Sequence, residues 1–161
     1  MSADTPIIIS VIGGSTASAE TVSVAEEVGR ELAKRGAVAA CGGLGGVMEA
    51  VCRGAKSAGG TTIGILPGGD PKEANQWVDI PICTGMGYAR NVIVVQTGRA
   101  VIALDGAGGT LSEMGHAIGF RIPLIGLQTS PSLNGALEFK IIKADNPVDA
   151  VEKAIEAAKA R

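Results

Sequence analysis

Three short apolar runs in this chain each end in a glycine cluster and lead at once into a segment of helical period: "PIIISVI" into "GGSTAS", "AVAAC" into "GGLGGVMEA", and "AVIALD" into "GAGGTLSE". Runs of β-branched and small apolar residues without polar alternation are strands buried on both faces. Alternated with helices, they form a parallel sheet. The glycines add a second constraint. A loop that only turns needs one, whereas a backbone that must lie against a ligand needs several, because each Cβ would hold it away.

The rest of the chain keeps this rhythm. "SAETVSVAEEVGRELAKRG" places Val22, Ala25, Val28, Gly29 and Leu32 on one helical face and stops at Gly36. "GGVMEAVCRGAKSAGG" reads as a helix closed by Gly59 and Gly60, and "TTIGILP" as a third strand. The polar stretch "GGDPKEANQWVD", followed by the short apolar run "IPICTG", breaks the pattern and reads as an exposed loop of the kind that carries function. A helix "GYARNVIVVQTG", the strand "AVIALD", a helix "TLSEMGHAIGF", a strand "PLIGL", a strand near "LEFKII" and a helix "PVDAVEKAIEAAKA" complete the order. With 161 residues and no linker or repeat, residues 1–161 form one domain. The expected fold is α/β and Rossmann-like, a single doubly wound, mostly parallel sheet with helices on both faces and its ligand site at the carboxyl ends of the strands.

Composition narrows the function. A net charge of −2 and 2% aromatic residues give neither a phosphate-binding basic face nor a stacking platform, so no nucleic-acid partner is expected. Cys41, Cys52 and Cys83 are odd in number and lack a C-x-x-C pair, which fits reduced core thiols rather than a disulfide framework or a zinc site. The apolar stretch in "MSADTPIIISVIGG" is too short for export or spanning and has an acidic residue where a signal peptide has basic ones. The expected location is the cytoplasm, with no membrane contact.

Glycine clusters at one sheet edge imply helix N-termini that offer unpaired N–H groups to an anion. One exposed helix end favours a charge by only about 0.3–1 kcal/mol, so two ends and an arginine are required. The expected ligand is a phosphate-bearing small molecule held by Gly14, Ser15, Gly43, Gly45, Gly46, Gly106, Gly108, Gly109 and Thr110. None of the clusters is a standard nucleotide fingerprint such as G-x-x-x-x-G-K-[ST] or G-x-G-x-x-G, which takes most of the support from kinase-like and ordinary dinucleotide readings.

The segment "GGLGGVMEAVCRGAKSAGGTTIGILPG" resembles the "GGGxxGLMGxVAxAAxxxGGxVIGIxP" stretch of the LOG ("lonely guy") family, often mislabelled as lysine decarboxylases, and "GAGGTLSE" resembles its "PGGxGTxxE" signature. That family releases the free base from cytokinin nucleoside monophosphates. The resemblance implies a phosphate grip at Gly106, Gly109 and Thr110, a catalytic carboxylate at Glu113, and, at Arg90, the arginine of the family's upstream "ERK" element. Ala89 and Asn91 flank that arginine in place of Glu and Lys, Asp105 replaces a proline and Ala107 a glycine. The "ARN" element and the short chain are more similar to a sister branch that includes molybdenum-cofactor carrier proteins, whose ligand is a phosphorylated pterin. Three readings follow: a binder of a nucleotide or of the molybdenum cofactor, a nucleoside 5'-monophosphate phosphoribohydrolase using Arg90 and Glu113, or an interaction protein with a degenerate site.

Other residues carry plainer expectations. His116 stands three after Glu113, but a carboxylate-bridged metal site needs a second such pair and the chain has one histidine, so no metal site is expected. Trp77 reads as an anchor for the polar loop or a lid over a planar ligand, Ser15 and Thr16 as phosphate contacts or an N-cap, and Met48 and Met114 as core fillers. Four consecutive apolar residues, Val92 to Val95, exceed what one helix face buries and predict a homo-oligomer, a dimer or tetramer. Arg90→Ala is expected to weaken ligand binding tenfold or more and, as a surface change, to leave the melting point unmoved.

Overall fold

A computed structural model describes residues 5–105, 108–129 and 141–161. Among these, strands and helices alternate: β1 (Ile8–Ile12), α1 (Ala19–Lys34), β2 (Val38–Cys41), α2 (Val47–Ser57), β3 (Thr62–Leu66), β4 (Ile80–Cys83), α3 (Asn91–Thr97), β5 (Ala100–Leu104), α4 (Gly108–Gly119), β6 (Leu124–Leu127), β7 (Ile141–Ala144) and α5 (Pro147–Lys159). The seven strands form one sheet in the order β4-β3-β2-β1-β5-β6-β7, every pair parallel. This is the expected Rossmann-like architecture. The order reverses between β1 and β5, and that switch point opens a crevice at the carboxyl ends of the strands.

Both sheet faces are covered, which explains the unbroken apolar runs. Ile9, Val11, Ile102 and Leu104 project towards α1, α2 and α5, while Ile12, Val101 and Ala103 project towards α3 and α4. Ser10, wholly buried, donates from Oγ to the Val94 carbonyl at 2.6 Å. The helix boundaries follow local chemistry: Ser18 caps α1 by accepting from Thr21 N at 3.1 Å, Asn146 caps α5 by accepting from Asp149 N at 2.9 Å, and Gly36, at φ 71, ends the first helical segment.

Three segments differ from the sequence expectation. "IPIC", a short apolar run to which the sequence pattern assigns no element, forms β4 at the sheet edge; its register is fixed by Asp79, which accepts from Thr62 N at 3.0 Å and pairs with Lys56 at 2.8 Å. "GYARNVIVVQTG" splits into a 3-10 turn, Gly87–Arg90, and the short helix α3. In α3, Val94 and Val95 are buried and Val92 and Ile93 partly so, hence the apolar surface assigned to a partner is mostly covered within the chain. Exposed apolar side chains cluster instead on and beyond β4, at Ile80, Ile82, Met86 and Tyr88, with Leu111, Phe120, Ile142 and Val148 exposed elsewhere. Of the thiols, Cys41 and Cys52 are buried as expected, 3.5 Å apart, whereas Cys83 is exposed on the edge strand. The strand expected near "LEFKII" is described from Ile141 onward; the residues before it lie outside the described set.

Candidate functional site

A cavity of about 220 Å³ lies at the switch point. The end of β1 and the residues after it contribute Val11 to Ser15, the β2–α2 turn contributes Gly42 and Leu44, α2 contributes Met48, the 3-10 turn contributes Tyr88 and Arg90, α3 contributes Asn91, and the start of α4 contributes Gly109, Thr110 and, one turn on, Glu113. Separate chain segments are therefore brought to one point by the crossover connections.

Arg90 is held inside the fold. Only 7% exposed, it donates from Nε to the Ile65 carbonyl at 2.8 Å, from Nη2 to the Gly42 carbonyl at 3.3 Å, and from Nη1 to Asn91 Oδ1. Those bonds use three of its five N–H donors and fix the plane of the guanidinium. Gly42 makes the arrangement possible, since a Cβ there would stand 2.6 Å from Arg90 Nη2. Burial lowers the guanidinium from its ordinary value, and the Glu113 charge opposes that shift.

Glu113, also 7% exposed, lies one turn into α4. Burial pushes its carboxyl up to about 7, with the positive charge of Arg90 only partly offsetting the loss of water. Among the described residues no donor satisfies it. Thr110, 2% exposed in the first turn of α4, has its Oγ1 buried without any hydrogen-bond partner. A buried orphan hydroxyl is uncommon enough to require a cause, and this one sits in the first turn of a helix, where backbone N–H groups have no intrahelical acceptor.

Of the sequence-predicted residues, Gly14, Ser15, Arg90, Gly109, Thr110 and Glu113 meet at this cavity. Gly43, Gly45 and Gly46 are not among its described lining residues; Gly106 lies outside the described residues, as do the surroundings of Gly108. Gly46 serves the packing of two turns instead. At φ 61, with a Cβ position 2.3 Å from the Gly14 carbonyl, it lets the β2–α2 turn lie against the β1–α1 turn, where Val47 N donates to Gly14 O at 3.0 Å. Ser15 is not the N-cap of α1, because Ser18 fills that position. Met48 both packs in the core and lines the cavity. Asp105, at φ 62, is not among the lining residues. His116 stacks on Phe120 with ring centroids 6.1 Å apart, and no metal-binding cluster occurs among the described residues. Trp77 packs against the core and anchors the polar loop, which does not reach the cavity. Sequence reasoning missed Gly13, Gly42, Leu44, Tyr88 and Asn91. Gly13 and Gly42 are the first residues beyond β1 and β2, a position that a firmer strand boundary would have flagged.

Fold and cavity together define a Rossmann-like α/β protein with a cavity at the switch point of its sheet. The chain belongs to the SLOG cluster4 family, whose profile matches residues 6–158. An uncharacterized protein of Archaeoglobus fulgidus is 47% identical over 111 residues, 68% of this chain and 72% of that protein. The molybdenum cofactor binding protein of Rippkaea orientalis superposes with a TM-score of 0.86 at 36% identity, covering 99% of this chain and 98% of its own. The Moco carrier protein of Chlamydomonas reinhardtii superposes with a TM-score of 0.88 at 32% identity, covering 98% of this chain and 100% of its own. The protein is thus a LOG-like superfamily member close in structure to molybdenum-cofactor carriers.

Proposed function

We propose that the protein binds a phosphate-bearing small molecule, with the phosphate at the N-terminus of α4, and carries it without breaking a bond. The observation that carries this reading is the buried, unpartnered Thr110 hydroxyl at a helix end that also faces Arg90. A phosphate oxygen would accept from Thr110 and from main-chain N–H groups of that turn, and the two uncommitted N–H groups of Arg90 supply the opposing charge. At about 220 Å³ the cavity is smaller than the roughly 300–1,000 Å³ that encloses a drug-sized ligand. It fits the phosphate and its neighbouring atoms, while a ring system would lie at the rim beside Tyr88, which is 87% exposed. A nucleoside monophosphate and the phosphorylated pterin of the molybdenum cofactor both satisfy this chemistry. The solved relatives named for molybdenum-cofactor binding favour the second.

Hydrolysis of a nucleoside 5'-monophosphate is the alternative. Stabilising an oxocarbenium-like state needs an ionised carboxylate, and a Glu113 pushed to about 7 is half neutral near neutral pH. Arg90, tied to three protein acceptors, has little freedom to follow a departing base. Thermal shift and base release, measured together on a panel of nucleoside monophosphates and on molybdopterin, decide the matter. Shift without release supports the carrier reading, release establishes the hydrolase, and neither points to an interaction protein with a degenerate site. We also propose a homo-oligomer joined through the exposed apolar residues of β4 and its following turn rather than through α3; light scattering at the monomer mass would overturn that.

A further inference from the structure

The polar loop between β3 and β4 does not line the cavity, but Asn75 holds the turn that does. Asn75 donates from Nδ2 to the carbonyls of Leu44, at 2.9 Å, and Gly43, at 3.3 Å, while its own backbone N–H reaches Gly43 O at 2.9 Å. Its Oδ1 in turn accepts from Trp77 N at 3.0 Å, and Trp77 is seated against the core. The held residues are those of the β2–α2 turn. Leu44 lines the cavity, and Gly42, beside Gly43, supplies the carbonyl that orients Arg90.

We propose that Asn75 is a positioning residue: by clamping Gly43 and Leu44 it fixes the turn that places Leu44 and the Arg90 guanidinium against the ligand. The amide suits this position because it combines donors for two carbonyls with an acceptor for Trp77, which neither a carboxylate nor a hydroxyl can do. Removing the donors leaves the Leu44 carbonyl without its side-chain partner and frees a turn that otherwise has few internal hydrogen bonds. Supporting groups of this kind commonly change ligand affinity by tenfold or more without touching the ligand. The consequence for affinity rests on the phosphate-binding reading above; the clamp itself does not.

Asn75→Asp is the informative variant, since it keeps the acceptor for Trp77 and replaces only the donors. Asn75→Ala removes both, and Trp77→Phe, which keeps an aromatic ring against the core, is the control for general destabilisation. Backbone amide order parameters and the affinity for inorganic phosphate are measured for all three and for the wild type. The expected result for both Asn75 variants is a drop in order from about 0.85 towards 0.6 confined to Gly42–Gly46, with phosphate affinity weakened roughly tenfold. Trp77→Phe should show neither change, even if its melting point falls. Unchanged order in the turn, or loosening spread evenly over the molecule, overturns the proposal. A loosened turn in a protein whose wild type ignores phosphate sustains the clamp and removes the phosphate reading instead.

Discussion

Glu31 and Glu113 are shielded from solvent to nearly the same degree, 6% and 7% exposed, and titrate in opposite directions. Glu31 lies on α1 beneath the side chains of Lys34 and Arg35, which bind its two carboxylate oxygens; Arg35 also bridges to Glu152 at 3.0 Å. Those hydrogen bonds hold its carboxyl below the ordinary value. Glu113 has no donor among the described residues and faces one arginine that is already engaged elsewhere, so burial dominates and its carboxyl rises. Equal exposure therefore says little about a charge: Glu31 lies near the surface under two flexible cations, whereas Glu113 lies deep in the fold. The difference lies in depth and in whether the fold supplies partners, and a fold that withholds them from Glu113 and Thr110 has left that corner for something else to complete.

The largest effect should come from Arg90→Ala set beside Arg35→Ala. Arg90 is not the surface residue that the sequence suggested: its removal leaves the buried Ile65 and Gly42 carbonyls and the Glu113 carboxyl without their cation. Leaving each buried acceptor unsatisfied costs about 1–3 kcal/mol, so the melting point should fall steeply together with ligand binding. Arg35, partly open to water, should cost about 1 kcal/mol or less. Chemical denaturation of both variants checks the ranking. Equal costs would erase the distinction between the two regions. Arg90→Ala is consequently a poor test of ligand contact, and the smaller substitutions separate site from scaffold better.

Next in size is Glu113→Gln. A carboxyl raised in the folded state binds a proton there that the unfolded chain has released, so wild-type stability declines as pH rises from 4.5 to about 7 and stays reduced above that. The full difference approaches about 3 kcal/mol. Glu113→Gln should match the wild type near pH 4, exceed it by up to that amount at pH 8, and lack the decline. Glu31→Gln should do the reverse on a smaller scale, about 1–2 kcal/mol. Its lowered carboxyl stabilises the fold above 4.5 and ceases to do so as acid titrates it, so the variant is weaker at neutral pH and the gap closes in acid. Unfolding curves across pH for the two variants test both signs at once.

The same contrast explains what could be read from the sequence. The parallel sheet was legible because β1, β2 and β5 are apolar without alternation, a pattern imposed by helices on both faces. β4 was not, because Pro81 and an exposed edge location remove that pattern, and its place depends on Asp79 reaching back to Thr62. At the site, Arg90, Thr110 and Glu113 were reached through their motif, but the burial of Arg90 was invisible: its acceptors, Ile65 and Gly42, are 25 and 48 residues away in sequence. Of the second cluster, Gly43, Gly45 and Gly46 were assigned to the ligand and Gly42 was not. In three dimensions Gly42 lines the cavity and makes room for Arg90, while Gly46 makes room for the neighbouring turn, a close approach of protein to protein.

The smallest effect on stability should be the most telling. Thr110→Val replaces a buried hydroxyl that has no partner with a methyl group of similar shape. If the hydroxyl were structural, its loss would destabilise the protein by about 1 kcal/mol, the usual net worth of a hydrogen bond. As an orphan it contributes only its desolvation cost, so the valine variant should be as stable as the wild type or more stable by up to about 1 kcal/mol. β-Branching is retained, which keeps the helix propensity of the first turn of α4 nearly constant. Under the phosphate reading, the same substitution deletes a donor to a charged oxygen and should weaken phosphate binding by about 1.5–3 kcal/mol, roughly ten- to a hundredfold. Thr110→Ser, which restores the hydroxyl, should recover most of the affinity. Gain of stability with loss of binding is the opposite of what Glu31 and its cations would show, because there each removed group takes a protein partner with it. A Thr110→Val protein that loses stability while binding phosphate like the wild type would place Thr110 with the scaffold and dissolve the contrast between the two regions.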